Sequence, residues 1–340
     1  MNRIKAPLQK ISNKFLSKNS FKKLLKINGS IAFLMCLIMF AFLAISVPKL
    51  FFNPFNIQAL MFAIAPEGIV AIGMMILLIS GVFDLSVGSV MAFAGLMTAM
   101  MLVAGLPIIV CIIIGLLVGV AIGFINGLLV EMAGINPLIS TIGTMYIFRG
   151  ATEFLMVGRS VDYNNFPEIF VNFGRKGFLG VYWMFWILII LVVVFTIFIV
   201  TRPTGKRLYF IGGNENLAKL MGIKKRKIRI GAYMISGLLA ALAGILMTAK
   251  NDAANRYIGN VTHMNVIIAC VIGGGSLNGG QGSIPGALFG IIFLSFLQNA
   301  FNLFDFESSM QRIILGFVLM AVVSVDGFMT LRRQKELGRI

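Results

Sequence analysis

The chain has 340 residues, 59% of them apolar and 12% charged, with a mean hydropathy of +0.95, which excludes a soluble globular domain, where about 25% would be charged. Its 29 basic and 12 acidic residues give a net charge of +17, and 21 of the basic residues fall in three stretches: eight in 1–29, nine in 201–229 and four in 330–340. Basic clusters separated by long apolar runs follow the positive-inside pattern of a polytopic membrane protein, whereas a nucleic-acid partner needs a basic face on a soluble fold.

The chain opens on the basic segment 1–29, in which Ile11, Phe15, Leu16, Phe21, Leu24 and Leu25 stand among lysines and predict a short helix lying on the inner leaflet. The apolar run from Ser30 to Val47 has no small-residue cleavage signal behind it, so it is read as an uncleaved anchor and first span. A helix needs about 20 apolar residues to cross the hydrocarbon layer. That length divides the chain into ten spans, at 30–47, 58–80, 86–104, 107–130, 137–157, 181–200, 230–249, 263–279, 283–300 and 310–328. From a cytoplasmic N-terminus, six spans return the chain to the basic 201–229 segment, and four more leave the tail 329–340 on the same side. The long loops facing the other way, 158–180 and 250–262, are nearly balanced, with Arg159, Arg175, Lys176, Lys250 and Arg256 against Asp162, Glu168 and Asp252. The expected fold is an all-α polytopic membrane protein of about ten transmembrane helices with glycine-rich breaks. It comprises one transmembrane permease domain, 30–328, with a cytoplasmic coupling loop at 201–229 and both termini cytoplasmic.

Within the fourth span Gly115, Gly119, Gly123 and Gly127 recur every four residues, a helix-packing face that lets backbones approach closely in lipid. Tyr182, Trp183 and Trp186 open the sixth span where an interfacial aromatic belt belongs. Cys36, Cys111 and Cys270 each lie in an apolar run without Cys-x-x-Cys or Cys/His spacing, so they are packing residues and no disulfide framework or metal site is expected.

Acids and amides in apolar runs are costly unless used. Asp84 sits in a glycine- and serine-rich break, Gly81-Val82-Phe83-Asp84-Leu85-Ser86-Val87-Gly88-Ser89. Two readings are open: Asp84 caps the third helix, or it lines a pathway at a place where interrupted backbone is tolerated at membrane depth. Asn126, Gln298 and Asn299 join it as candidate pathway residues, each equally able to join helices. Glu67 also stands in an apolar run. Arg149 and Glu153, one turn apart, are expected to neutralise each other; Glu131 and Asp326 are expected at the inner surface. The second break, Gly273 to Ser283, reads as a re-entrant turn. It is not a nucleotide-binding loop, because the only Gly-Lys in the chain, Gly205-Lys206, precedes Arg207. Residues 212–223 predict a short helix capped by Asn214 and stopped by Gly222, either a lipid-facing basic loop or a docking surface.

Four strings taken in order, Asp84-Leu85-Ser86-Val87-Gly88-Ser89, Asn136-Pro137 through Arg149-Gly150, Gly212 to Ile223, and Ile272 to Gly282, resemble the permease subunit of bacterial ABC sugar importers, the ribose/galactose/xylose branch that includes autoinducer-2 permeases. The resemblance runs through most of residues 55–330. It implies a small neutral sugar moved across the bacterial cytoplasmic membrane by alternating access, in a chain with no catalytic centre or cofactor of its own. ATP and Mg would be bound by a cytoplasmic ABC ATPase docked on Gly213, Asn214, Glu215, Ala218, Gly222 and Ile223. The other implied partners are an extracellular or periplasmic substrate-binding protein, a second permease copy or sister permease, and membrane lipid. Where the family has Glu-Leu-Asp this chain has His263-Met264-Asn265; His263, its only histidine, is expected as an interfacial donor at a span mouth. A secondary transporter also suits ten spans with two glycine breaks but needs an ionisable relay. An intramembrane hydrolase lacks a serine elbow, paired aspartates and a His-Glu-x-x-His string.

Overall fold

The computed structural model describes residues 29–156 and 166–336. The interfacial helix expected among residues 11–25 and the last part of the tail, 337–340, lie outside the described residues.

The apolar runs form helices, one of them only in part. In chain order they are α1 Ser30–Ser46, α2 Pro48–Phe51, α3 Pro54–Ile79, α4 Val87–Val103, α5 Ile108–Glu131, α6 Pro137–Met156 and α7 Glu168–Arg175. After a two-residue hairpin, β1 Gly177–Phe178 and β2 Val181–Tyr182, come α8 Trp183–Thr201, α9 Pro203–Gly213, α10 Glu215–Leu220, α11 Lys225–Asn251, α12 Thr262–Ile272, α13 Ile284–Leu303 and α14 Ser308–Glu336. Local chemistry sets the starts. The Asn53 side chain accepts from the Phe55 N–H and Pro54 takes the first position of α3; the Ser283 hydroxyl accepts from the Gly286 N–H at the head of α13, again with a proline in the first turn. The hairpin turns through Leu179 at φ 54° and Gly180 at φ 78°, the doubly left-handed conformation that matches strand twist. Trp183, expected at an interfacial belt, stacks its ring 6.3 Å from Phe173 and 6.4 Å from Phe178.

The chain is an all-α polytopic membrane protein: among the described residues five helices, α3, α5, α8, α11 and α13, are long and apolar enough to cross a bilayer. α3 and α11 form the centre, with 83% and 61% of their apolar windows buried, against 17% for α8 at the periphery. α11 packs most extensively along α5 and also against α3 and α4. Small residues set these distances. A Cβ on Gly73 of α3 would lie 2.8 Å from the Ser236 Cα of α11, and one on Gly127 of α5 would lie 2.9 Å from the Ile230 Cα. Gly119 and Gly123 likewise abut the backbone of Gly237 and Tyr233.

One segment departs from expectation. The span placed at 263–279 is a helix only from Thr262 to Ile272, 11 residues, about 16 Å at 1.5 Å per residue, half of a 30 Å hydrocarbon layer. Residues 253–261 before it are non-helical and reach into the bundle, where Gly259 meets the backbone of Gly88 at the start of α4. The Arg149 side chain of α6 fixes this stretch by donating to the carbonyls of Arg256, at 2.5 Å, and Ile258, at 3.0 Å. Arg149 gives its hydrogen bonds to backbone: among the described residues no close ion pair joins it to Glu153, which is exposed and acts on Arg149 through its nearby charge. His263 stands half-buried in the first turn of α12.

Candidate functional site

Three glycine-rich stretches far apart in the chain meet at the end of the bundle that carries the basic 201–229 segment. The Ile79 carbonyl, at the end of α3, accepts from the Gly280 N–H at 2.9 Å, and a Cβ on Gly280 would lie 2.8 Å from the Gly213 Cα of α9. Gly279 packs as closely on Gly81 and Gly212, its own φ of 85° being one that side chains disfavour. Backbone stands on backbone here, so the turn after α3, the end of α9 and the turn before α13 form one joint.

Within the joint the 80–86 turn is held from two further elements, α11 and α5. Arg229 of α11 donates to the Ser80 carbonyl from Nε at 3.0 Å and Nη2 at 2.6 Å. The Tyr233 hydroxyl donates to the Phe83 carbonyl at 3.1 Å. Asn126 of α5 donates from Nδ2 to the Ser86 hydroxyl at 2.9 Å, while its Oδ1 accepts from Thr144 of α6 at 2.8 Å. Asp84, fully buried, folds back on its own turn: its Oδ1 accepts from the Ser86 N–H at 2.8 Å and the Ser86 hydroxyl at 2.6 Å. This is an Asx-type turn leading into α4, with the Asn126 amide 3.4 Å from the same oxygen.

A cluster of charges connects this turn to α10. Glu131, expected at the inner surface, is buried instead, because the glycine face that it extends is pressed onto α11. Its Oε1 lies 3.0 Å from Arg229 Nη1, and its Oε2 lies 3.6 Å from Lys225 Nζ. Glu215, in the first turn of α10, completes the cluster 2.6 Å from Arg229 and 2.9 Å from Lys225. Burial pushes the Glu215 carboxyl up, but hydrogen bonds from Lys225 and the nearby Arg229 charge outweigh it and hold the group below its ordinary value.

The short helix α10 forms as its ends predict: the Asn214 side chain accepts from the Leu217 N–H at 3.0 Å, and Gly222 ends it at φ 73°. Ala218 points inward at 1% exposure, whereas Leu217, Leu220 and Met221 are exposed at 51%, 86% and 56%. Gly213, Glu215 and Gly222 are exposed and Asn214 and Ile223 half-buried. The apolar tip, Leu217, Leu220 and Met221, is absent from the residues singled out in the sequence.

The four candidate pathway residues do not converge. Asp84 and Asn126 belong to the joint, while Asn299 lies 15 residues along α13, at the far end, where it exchanges hydrogen bonds with Asn56 at 2.5 and 3.3 Å; Gln298 beside it is half-buried. Among the described residues no group of His, Cys, Asp and Glu is placed to hold a metal ion.

Residues 56–323 match the family described as the permease component of the branched-chain amino acid transport system. The chain belongs to this permease family. It is 35% identical over 276 residues to the ribose import permease protein of Bacillus subtilis (strain 168), covering 81% of this chain and 86% of that one. It is 32% identical over 314 residues to the L-arabinose ABC transporter permease protein of Azospirillum brasilense, 92% of this chain and 91% of the other. Against the D-allose transport system permease protein of Escherichia coli (strain K12) it is 32% identical over 295 residues, 86% and 90% of the two permeases. No solved structure gives a significant match.

Proposed function

We propose that the chain is the membrane-spanning subunit of an ATP-driven importer that passes a small neutral sugar across the bacterial cytoplasmic membrane by alternating access. The relatives named for ribose, arabinose and allose transport support the solute class. The joint supports the mechanism. The chain makes ten crossings, the non-helical 253–261 stretch and half-helix α12 together supplying one, with the basic end and both termini cytoplasmic.

The observation that carries this reading is an exposed apolar helix tip, Leu217, Leu220 and Met221, on a basic, water-facing segment, tied through Glu215 and Arg229 to the turn that holds Asp84. Apolar side chains gathered outside the hydrocarbon layer mark a contact surface. A cytoplasmic ABC ATPase seated on α10, along Gly213, Asn214, Glu215, Ala218, Gly222 and Ile223, would push on the charge cluster. The push would reach the Asp84 turn, the hinge between α3 and α4, and so rock the helices. Asp84 and Asn126 act here as joint residues; Gln298 and Asn299 brace the opposite end, where an extracellular or periplasmic substrate-binding protein delivers solute. A second copy or a sister permease completes the pathway. ATP and Mg belong to the ATPase, and hydrolysis is its work alone.

The test is Leu217→Glu combined with Leu220→Glu, which leaves the buried Ala218 in place. The ATPase is expected to be lost from the purified complex while the chain keeps its helical circular-dichroism spectrum. Full recovery of the ATPase with the double variant rejects docking at α10, and uptake that survives ATP depletion but not an uncoupler rejects the importer in favour of an ion-coupled carrier.

A further inference from the structure

α6 has the length of a crossing without its composition. Its 20 residues extend about 30 Å at 1.5 Å per residue, the thickness of the hydrocarbon layer. Yet Tyr146, Arg149, Thr152 and Glu153 stand among them, and α6 is not one of the five helices apolar enough to cross. Thr152 is buried, whereas Tyr146, midway along the helix, is 69% exposed and Glu153 is exposed. At 100° per residue, Tyr146 and Glu153 lie about 60° and 40° round the helix from Arg149, in the same sense. Ile147 and Phe154, 64% and 80% exposed, are turned about 160° and 140° from it. The exposed surface of α6 therefore has a polar edge beside Arg149 and an apolar edge suited to lipid.

Arg149 is also where α6 meets the 253–261 stretch, through the Arg256 and Ile258 carbonyls. Its Nη2 stands 3.7 Å from the place of a Cβ on Gly88, the glycine on which Gly259 rests. Gly88 is the second residue of α4, and about 22 Å of helix separates it from Val103, so the stretch descends to membrane depth. Its side chains there are open. Tyr257 is 62% exposed and Met264, just beyond in α12, 44%; Asn260, next to Gly259, is exposed as well. The Tyr257 hydroxyl accepts from Arg256 Nη2 at 2.9 Å, but among the described residues no partner meets the Tyr146 hydroxyl or the Asn260 amide. Open amides beside non-helical backbone do not face lipid tails; at that depth they persist only against protein or a water-filled cavity. Glu153 and Arg256 give the flank an acid and a base besides the clamped Arg149, so two identical flanks related by a two-fold axis can set opposite charges across the gap. The tyrosine rings suit the C–H side of a sugar ring, and the amide and hydroxyls suit its hydroxyl groups.

We propose that this flank, Tyr146 of α6 with Tyr257, Asn260 and Met264 beside it, is one wall of the solute pathway, and that the facing wall is the same flank of a second copy of the chain. The assignment rests on the sugar-import reading and moves the pathway away from Asp84, Asn126, Gln298 and Asn299. It is tested in cells carrying the whole importer, with uptake of labelled D-ribose, L-arabinose and D-allose. Wild type is expected to import at least one of them. Asn260→Leu should cut its maximal rate about three- to tenfold, the loss of one neutral hydrogen bond, and Ile147→Ala should leave it unchanged at equal complex yield. Tyr146→Cys and Asn260→Cys should react with a small membrane-impermeant methanethiosulfonate and Ile147→Cys should not, the native Cys36, Cys111 and Cys270 being buried. The imported sugar should slow labelling of Asn260→Cys, and a bis-maleimide should join two Tyr146→Cys chains. Equal labelling of Asn260→Cys and Ile147→Cys, or labelling of Asn260→Cys that ignores saturating sugar, overturns the wall. Tyr146→Cys chains that never join to each other overturn the second copy as the facing surface. A wild type that imports none of the three sugars overturns the sugar reading itself, while the labelling contrast still decides the wall.

Discussion

Arg229 reaches from α11 to the Ser80 carbonyl with two donors, at 3.0 and 2.6 Å, and with its third nitrogen holds Glu131 at 3.0 Å. Both side chains are almost wholly buried, at 6% and 2% exposure. Removing one partner of such a pair strands the other charge, a loss of about 3–5 kcal/mol. Arg229→Met is therefore expected to lower the melting temperature of the purified chain in detergent sharply. Adding Glu131→Gln recovers part of the loss by removing the stranded charge, but not the two bonds to Ser80. Equal melting of single and double variants rejects a coupled pair.

Glu215 gives the cluster a pH dependence whose sign is fixed. Its carboxyl lies below its ordinary 4.5 in the folded chain. The ionised form is thus the one that folding favours: its contribution is complete above the unfolded value and disappears as pH falls through the folded one. The melting difference between wild type and Glu215→Gln should stay constant from pH 8 to about 5 and close at more acid pH. A difference that instead shrinks between pH 8 and 6 contradicts an ionised Glu215 at the cluster.

Close packing makes a third expectation. Gly119 and Gly123 of α5 abut the backbone of Gly237 and Tyr233 on α11, whereas Gly316 of α14 has no atom within 4 Å of an added Cβ. Gly119→Ala and Gly123→Ala should each cost about 1–3 kcal/mol as overpacking at a rigid contact, read as lower melting temperature or weaker recovery from the membrane. Gly316→Ala should be neutral or slightly stabilising. Indistinguishable behaviour of all three rejects the α5–α11 contact.

Helix positions were legible because length in lipid and turn chemistry act locally: Asn53-Pro54 and Ser283-Ile284-Pro285 mark their own helix starts. The joint was harder to read because its signals are phases of helices, not compositions. Arg229 sits in a run of cations and looks like Lys224 or Arg226, yet it opens the buried stripe Arg229, Ala232, Tyr233, Ser236, Gly237, Ala240, whose i, i+3, i+4 spacing could have singled it out. Glu131 is likewise the fifth member of the stripe Gly115, Gly119, Gly123, Gly127, and inherits its contact with α11. α10 misleads for the opposite reason. Leu217, Leu220 and Met221 have the spacing of a core face, but the core side of so short a helix needs only Ala218, and the larger residues face outward. The half-helix α12 was hidden because apolar residues on either side of Gly273 sum to a span length while the glycines end the helix.

The clamp on that half-helix supplies the last prediction. Arg149 binds two carbonyls of the 253–261 stretch from a single Nη1, and non-helical backbone inside a membrane protein persists only where its polar groups are satisfied by protein. Lysine keeps the charge, but its ammonium lies nearer the backbone than Nη1 and is more strongly hydrated, so Arg149→Lys should loosen the stretch without removing the helices around it. Ile258→Cys, buried in wild type, should then react faster with a membrane-impermeant thiol reagent in the Arg149→Lys background, with total helical content unchanged by circular dichroism. Because the stretch leads directly into Thr262, His263 and Asn265 of α12, its loosening should also lower sugar uptake. Unchanged labelling together with normal uptake would mean that Arg149 does not fix the half-helix.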